Sequence, residues 1–210
     1  MRVFEIDFTP SADGVLCAIH GWKLIGEVQT AKAFLSGKTE GLFTRLTIDD
    51  VLKQMEINRD MVLVLDLKSY RWEEKDLIRY YNQLYQSAMN HGGESTLNRI
   101  IPQIYTYDEY DHIKEIYSWK SIILTLYAMS GSDPDTILSF VKDKDDIQIV
   151  ASSRRYITED LVTSLHSTGK KYYTYTMNRL EDMVPYKSLG IDCFYTDFIT
   201  PESYHAYFQE

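Results

Sequence analysis

The sequence predicts an α/β fold of the (β/α)8 TIM-barrel type, with about seven parallel strands. Short apolar runs rich in β-branched and aromatic residues recur along the chain, as is typical of strands buried on both faces of a parallel sheet. Helical patterns lie between these runs, which is the alternation of βα units. The 210 residues are fewer than the roughly 250 of a typical complete barrel, a shortfall of about one unit.

Seven apolar runs are the predicted parallel strands. They cover residues 3–8, 61–68, 99–105, 121–127, 147–151, 171–176 and 193–198. An eighth short run, 15–20, follows the turn-forming pair Asp13-Gly14 and should pair back on the first strand as a hairpin. This return would carry His20 over the carboxyl end of the first strand, where barrels build their active sites.

Helices are predicted between the strands from capping signals and apolar spacing. Thr47 with Asp50 predicts a capped helix start, and Asp133-Pro134 predicts another. Thr158 should begin a helix that Gly169 ends. The other predicted helices begin near Leu77, near Tyr110, near Leu180 and at Thr200.

Composition favours one globular domain over residues 1–210, because 44% of residues are hydrophobic and 25% are charged. The net charge of −9 without a basic run argues against nucleic-acid binding. The widely separated Cys17 and Cys193 should be buried free thiols. No apolar run is long enough for a membrane span, and Arg2 onward has no signal-peptide pattern, so a cytoplasmic location is expected.

Glu5 and Asp7 are the first candidate functional pair. Two residues apart on a strand, they share a face, and in a barrel that face would point inward. Two buried like charges need compensation, which a divalent cation would supply, and oxygen ligands suit Mg²⁺ or Ca²⁺. The alternative is an edge strand on which both carboxylates simply face water.

Asp66 and Lys68 repeat this pattern on the second predicted strand. They could form a plain ion pair, or they could add a third metal ligand and a cation for phosphate beside Glu5 and Asp7.

His20 is a single histidine at the end of its apolar run, so a structural or exposed role is an alternative to a catalytic one. The remaining histidines lack metal-ligand spacing and are expected to be structural or at the surface; they are His91, His112, His166 and His205.

Together these motifs resemble the glycerophosphodiester phosphodiesterase family. Four segments carry the resemblance. The first segment comprises Glu5-Ile6-Asp7, Thr9, Asp13-Gly14 and His20, and it is similar to the family's E-x-D…T-x-D-G…H motif. The second, Asp66-Leu67-Lys68, is similar to the E-x-K strand, with Asp in place of Glu. The third, 174–178, is similar to the W-T-V-N strand with Tyr175 in place of Trp, and the fourth, 190–197, is similar to the G-V-D-G-I-x-T-D ending. The segments follow the family's order across nearly the whole chain.

The resemblance implies a barrel that hydrolyses small phosphodiesters such as glycerophosphodiesters. It implies one Mg²⁺ or Ca²⁺ ion held by Glu5, Asp7 and Asp66, with Lys68 on the phosphate. His20 would be one of two catalytic histidines, acting as a general acid or base. Segment 21–46 would be an insertion or lid. Further candidate substrate contacts are Trp22, Phe43 and Tyr175.

The sequence also departs from the family. The family begins with a strand carrying H-R-G, followed by E-N-T and a helix, and these are missing, so the other catalytic histidine and the first βα unit should lie before Met1. A shortened barrel would expose strand edges, which a homo-oligomer could cover. The alternative function is therefore a catalytically inactive barrel that binds a metal or phosphate, or that a partner chain completes. Phosphatidylinositol-phospholipase-like and sphingomyelinase-D-like chemistries, which share the barrel, also stay open.

Overall fold

A computed structural model describes residues 2–129 and 133–209 of the chain. The chain divides into two compact units, Met1–Ser121 and Ile122–Glu210. Each unit combines parallel strands with helices that follow them in sequence. None of the helices within the described residues combines the length and apolar character that a membrane crossing requires.

The first unit contains the two strands on which the candidate site residues were predicted. Its elements are β1 (Arg2–Pro10), β2 (Leu16–Ala18), α1 (Ala31–Ser36), β3 (Lys38–Thr39), β4 (Phe43–Thr44), α2 (Ile48–Ile57), β5 (Met61–Asp66), α3 (Glu74–Asn90), α4 (Glu94–Leu97), β6 (Ile100–Ile104) and α5 (Tyr107–Ile116). The strand order is β6-β5-β1-β2, in which β2 is antiparallel and the other pairs are parallel. Strands β3 and β4 form a separate small hairpin.

The register between β1 and β5 sets the geometry of the site. Their pairing runs from Arg2 opposite Met61 to Asp7 opposite Asp66. Strand β5 is buried along almost its whole length because neighbours cover both of its faces. The last residue pair of this ladder therefore brings two carboxylates side by side where the pairing of β1 with β5 ends.

Segment 21–46 carries a small hydrophobic cluster of its own. Cys17, Trp22 and Phe34 are buried together, with Ile19, Ile25 and Ala31 packed around them. The Trp22 and Phe34 rings meet edge to face, with their centroids 5.5 Å apart, and Trp22 Nε1 donates a hydrogen bond of 2.7 Å to the Pro10 carbonyl. These contacts fasten the start of the segment to the end of β1.

The second unit alternates strands and helices without interruption. Its elements are β7 (Ile122–Thr125), α6 (Pro134–Val141), β8 (Ile147–Ser153), α7 (Glu159–Ser167), β9 (Lys171–Tyr175), α8 (Leu180–Ser188), β10 (Cys193–Phe194) and α9 (Pro201–Phe208). Neighbours in the order β7-β8-β9-β10 are parallel. Helix α6 begins as its sequence predicts, since the Asp133 side chain accepts from Thr136 N and Pro134 takes the first turn.

The predicted α/β class is confirmed, with three parallel strands in the described part of the first unit and four in that of the second. The last predicted strand is shorter than expected, because β10 covers only Cys193–Phe194, although the Tyr195 backbone N–H still donates 2.9 Å to the Thr174 carbonyl of β9. The expectation that both cysteines are buried is wrong for Cys193, which is exposed, while Cys17 is buried. Helices α1 and α4 and the β3–β4 hairpin were not predicted from the sequence.

Candidate active site

Three carboxylates converge near the end of the parallel ladder between β1 and β5. Oxygens of Glu5, Asp7 and Asp66 all lie within 4.8 Å of one another. Glu5 and Asp7 share a face of β1 because they are two residues apart, and the strand register sets Asp7 beside Asp66. Burial increases across the group, from the exposed Glu5 through the half-buried Asp7 to the buried Asp66.

The Lys68 ammonium lies between two of these carboxylates. Its Nζ is 2.7 Å from Asp7 Oδ1 and 2.7 Å from Asp66 Oδ2. Burial by itself would lower the pKa of Lys68, but the attraction and hydrogen bonds of Asp66 and Asp7 outweigh burial and raise that pKa. The predicted pairing of this acid and base is present in the structure, and it extends to Asp7.

Lys68 reaches this position from a turn and not from the strand on which it was predicted. Strand β5 ends at Asp66, and Lys68 adopts a left-handed conformation with φ of 50° and ψ of 37°. The turn folds the residue back, so that its backbone N–H donates 2.9 Å to Asp66 Oδ1 while its Nζ reaches Oδ2. One residue thus contacts both oxygens of Asp66.

Two further side chains hold Asp66, and neither was predicted from the sequence. Tyr105 Oη donates 2.6 Å to Asp66 Oδ1, and Gln103 Nε2 donates 3.0 Å to Oδ2. With Lys68, each oxygen accepts two hydrogen bonds, which is the full capacity of a carboxylate. Gln103 could have been noticed as an amide inside the apolar run that forms β6, since a buried polar side chain requires a partner.

Behind Asp66 the surroundings are buried and contain a second acid. Glu109 Oε2 accepts 2.6 Å from Tyr105 N, and burial raises the pKa of Glu109. The Tyr81 ring is almost fully buried, and its hydroxyl pKa is raised, first by burial and then by the charges of Glu109 and Asp66. Asp66 thus lies next to buried, low-dielectric surroundings, whereas Glu5 is exposed.

His20 follows the predicted hairpin and is exposed. Strand β2 pairs with the end of β1, Phe8 opposite Ala18, and carries the chain back along it. Thr9 Oγ1 donates 2.8 Å to the Ile19 carbonyl and fixes this return. The side chain of Asp13, in the turn, accepts 2.8 Å from Ala31 N and so ties the turn to α1. The backbone path thus matches the expected one, whereas a catalytic role for His20 stays a prediction.

The other predicted substrate contacts lie in different surroundings. Trp22 is packed in the cluster with Cys17 and Phe34, which gives it a structural role whatever else it does. Phe43, on β4, is exposed. Tyr175 ends β9 in the second unit, where its hydroxyl lies 3.1 Å from Thr125 Oγ1 and its ring meets the Tyr195 ring edge to face.

The other motif residues of the second unit join two loops. Asn178 Nδ2 donates 2.7 Å to Asp197 Oδ2, and Asp197 N donates 2.8 Å to Asn178 Oδ1. Thr196 Oγ1 donates 3.2 Å to the same Asn178 oxygen. This Asn178–Asp197 bridge links the residues after β9 to those after β10.

The cluster of three carboxylates has donor atoms that suit a divalent cation. Glu5, Asp7 and Asp66 offer only oxygen ligands, which Mg²⁺ and Ca²⁺ prefer. A positive charge is already accommodated there, since the Lys68 ammonium contacts oxygens of two of the three. The group therefore has the charge and donor type for a cation.

Comparison with known proteins identifies a family whose model matches most of the chain. The model of the glycerophosphoryl diester phosphodiesterase family, a hydrolase family, matches residues 46–200, which include Asp66, Lys68 and Tyr175 but not Glu5, Asp7 or His20. A search of curated protein sequences gave no significant match.

Solved structures of glycerophosphodiester phosphodiesterases share the fold. The enzyme from Parabacteroides distasonis has a TM-score of 0.78 at 15% identity, covering 98% of this chain and 82% of the other. An Oleispira antarctica phosphodiesterase in complex with the product sn-glycerol-3-phosphate gives 0.73 at 14% identity, covering 100% and 86%. The Thermotoga maritima enzyme gives 0.66 at 14% identity, covering 98% and 83%.

The structural likeness confirms the barrel class predicted from the sequence, and the family match spans well over half of the chain. The chain belongs to the glycerophosphoryl diester phosphodiesterase family.

Proposed function

We propose that this protein is a metal-dependent hydrolase of glycerophosphodiester-type substrates. The observation that carries the proposal is the convergence of Glu5, Asp7 and Asp66 with the Lys68 ammonium. Family membership and the product complex of the Oleispira antarctica relative support the choice of substrate class.

Each residue has a chemical role in this proposal. Glu5, Asp7 and Asp66 would hold one Mg²⁺ or Ca²⁺ ion, which when bound stabilises negative charge on the phosphoryl oxygens. Lys68 would bind a phosphate oxygen as a point charge. His20, exposed after β2, would transfer a proton to or from the reacting oxygens. Segment 21–46, fastened to β1 through Trp22, would cover the substrate side of the site.

The first prediction concerns turnover. This chain should hydrolyse glycerophosphocholine or bis-p-nitrophenyl phosphate only weakly, because it offers one of the two catalytic histidines that the family resemblance implies, and this turnover should require Mg²⁺ or Ca²⁺. His20→Ala should lower kcat by about 10² or more, because general acid–base catalysis contributes at least that factor. His205→Ala, on α9 of the second unit, is the matched control and should retain the parent rate. Full activity in His20→Ala, or in the parent with excess chelator, would contradict the proposal.

The second prediction concerns cation binding without turnover. Thermal unfolding of the parent should move to higher temperature on adding Ca²⁺ or Mg²⁺, because a ligand that binds only the folded state stabilises it. Glu5→Ala should abolish the increase, whereas Glu27→Ala, an exposed carboxylate in segment 21–46, should keep it. If neither cation changes the unfolding temperature of the parent protein, the proposed role of a metal in the mechanism is wrong.

A second candidate function is a barrel that binds a cation and phosphate without hydrolysis. One observation favours it: the histidines other than His20 in the described part of the first unit contact acids that are not members of the Glu5, Asp7 and Asp66 group. His91 contacts Asp49 and Glu56, and His112 lies 3.8 Å from Glu74. Cation-dependent stabilisation without any turnover of either substrate would select this function, and His20-dependent turnover would exclude it.

A further inference from the structure

The Lys68 ammonium occupies the oxygens that a divalent cation would use. Nζ contacts Asp7 Oδ1 and Asp66 Oδ2 at 2.7 Å each, which is a charge-assisted hydrogen-bond distance. A cation bound to both carboxylates would sit at about 2.0 to 2.6 Å from their oxygens. Two positive charges so close to the same oxygens would repel each other strongly.

We propose that Lys68 is a displaceable internal counter-ion of this site, which a divalent cation releases for phosphate binding. The inference rests on the proposed function and deepens it, since it predicts the order of loading. In the cation-free site Lys68 neutralises the carboxylates. In the loaded site its ammonium is free to bind a phosphate oxygen, so the cation and the phosphate should each strengthen the binding of the other.

Asp66 is the fixed member of the pair, so Lys68 is the member that moves. Gln103 and Tyr105 hold Asp66 from the buried side, and its side chain is only 5% exposed. The Lys68 side chain is 30% exposed and its stem has several rotatable bonds. When Nζ leaves, the backbone N–H of Lys68 still holds Asp66 Oδ1, so the carboxylate stays in place.

The internal counter-ion also explains how the site stays folded without a cation. Three carboxylates without compensation would repel one another, and removing one partner of a buried pair leaves an uncompensated charge.

Thermodynamic linkage makes the coupling between the two ligands reciprocal. If the cation promotes phosphate binding by releasing Lys68, phosphate must promote cation binding by the same factor.

The test is calorimetric titration of the full chain with Mg²⁺, and in parallel with Ca²⁺, in the absence of phosphate. Lys68→Met removes the competing charge and should bind the cation about tenfold more tightly than the parent, a typical coupling between sites. Lys68→Arg keeps the charge and should bind no more tightly than the parent. Lys75→Met, which removes an exposed charge beside Glu73, is the control and should change nothing.

A second titration measures the coupling itself. In the parent, sn-glycerol 3-phosphate should bind more tightly with Mg²⁺ than without it, and in Lys68→Met this enhancement should be largely lost. Equal or weaker cation binding in Lys68→Met, with clear binding to the parent, would overturn the counter-ion inference alone. Absence of cation binding to both proteins would overturn the metal-dependent function as well.

A measurement on the parent protein covers the case in which Lys68→Met does not fold. Reductive methylation followed by peptide mass spectrometry reports the accessibility of each lysine. Methylation of Lys68 should increase when Ca²⁺ is added, because its ammonium leaves the two carboxylates, while that of the exposed Lys75 stays constant. Unchanged or reduced Lys68 methylation would contradict the inference.

Discussion

At the scale of single residues, Asp66 shows how a buried charge is kept in a core. Four donors from Lys68, Gln103 and Tyr105 occupy its two oxygens. The donors differ in kind: a backbone N–H, an ammonium, an amide and a phenol. The identity of Asp66 as a candidate site residue was predictable from its place after five apolar residues. Its partner Lys68 was predicted too, but Gln103 and Tyr105 were not, because they lie on and just after β6 and only the register between β5 and β6 brings them to Asp66.

The residue-scale prediction is that Tyr105→Phe destabilises the protein. The change removes the 2.6 Å hydrogen bond to Asp66 and leaves a buried carboxylate with one donor fewer. The free energy of unfolding should fall by about 1 to 3 kcal/mol, measured by urea denaturation. Tyr207→Phe, at an exposed position on α9, should have little effect. Equal stability of Tyr105→Phe and the parent would show that this hydrogen bond contributes nothing net.

At the scale of elements, capping signals and strand patterns were the most predictable features. Thr47, Asp133, Thr158 and Thr200 each accept a hydrogen bond from the first turn of a helix, as their positions in sequence suggested. The turn at Lys68 was not predictable, because a left-handed lysine has no sequence signature comparable to that of glycine. The short elements of segment 21–46 also escaped prediction, since two-residue strands carry no periodicity.

The element-scale prediction concerns the start of α2. Thr47 and Asp50 form a reciprocal capping box, in which Thr47 Oγ1 accepts from Asp50 N and Asp50 accepts from Thr47 N at 2.9 Å. Thr47→Ala should lower the free energy of unfolding by about 1 kcal/mol, as measured by chemical denaturation. Lys53→Ala, at an exposed position within the same helix, should stay within about 0.5 kcal/mol of the parent. A larger loss in Lys53→Ala than in Thr47→Ala would contradict the capping account.

At the scale of the whole molecule, the repeating order of strands and helices made the fold class readable from sequence. The alternation of apolar runs and helical patterns indicates parallel strands and does not depend on the exact residues. The fold class can therefore be predicted although the chain is only 15% identical to a solved structure of the same fold. How residues from separate strands combine into a site is less visible. Strand position offered the grouping of Glu5, Asp7 and Asp66 only as one alternative, and the family resemblance then implied it. The ladder between β1 and β5 gives the physical reason for their proximity.

The whole-molecule prediction concerns association between copies of the chain. Residues 2–7 of β1 pair with β5, and the described residues supply no strand on the other edge of this stretch. Val3 and Phe4 are exposed here, and an exposed apolar edge favours pairing between chains. Phe4→Lys should therefore reduce concentration-dependent growth in mass measured by light scattering. Val28→Lys, at an exposed site in segment 21–46, is the control and should not change this growth in mass. Equal growth in the parent and in Phe4→Lys would show that the exposed edge of β1 does not cause the association.

The left-handed conformation of Lys68 has a consequence for engineering. A lysine with φ of 50° is strained relative to glycine or asparagine, which adopt this region more readily. Glycine or asparagine at position 68 would relieve this strain, but either would remove the ammonium that compensates Asp7 and Asp66, so libraries selected for thermostability should retain lysine there. At position 68 the backbone preference for glycine is thus opposed by the loss of a side-chain charge, and a stabilised variant should be built with Lys68 held constant.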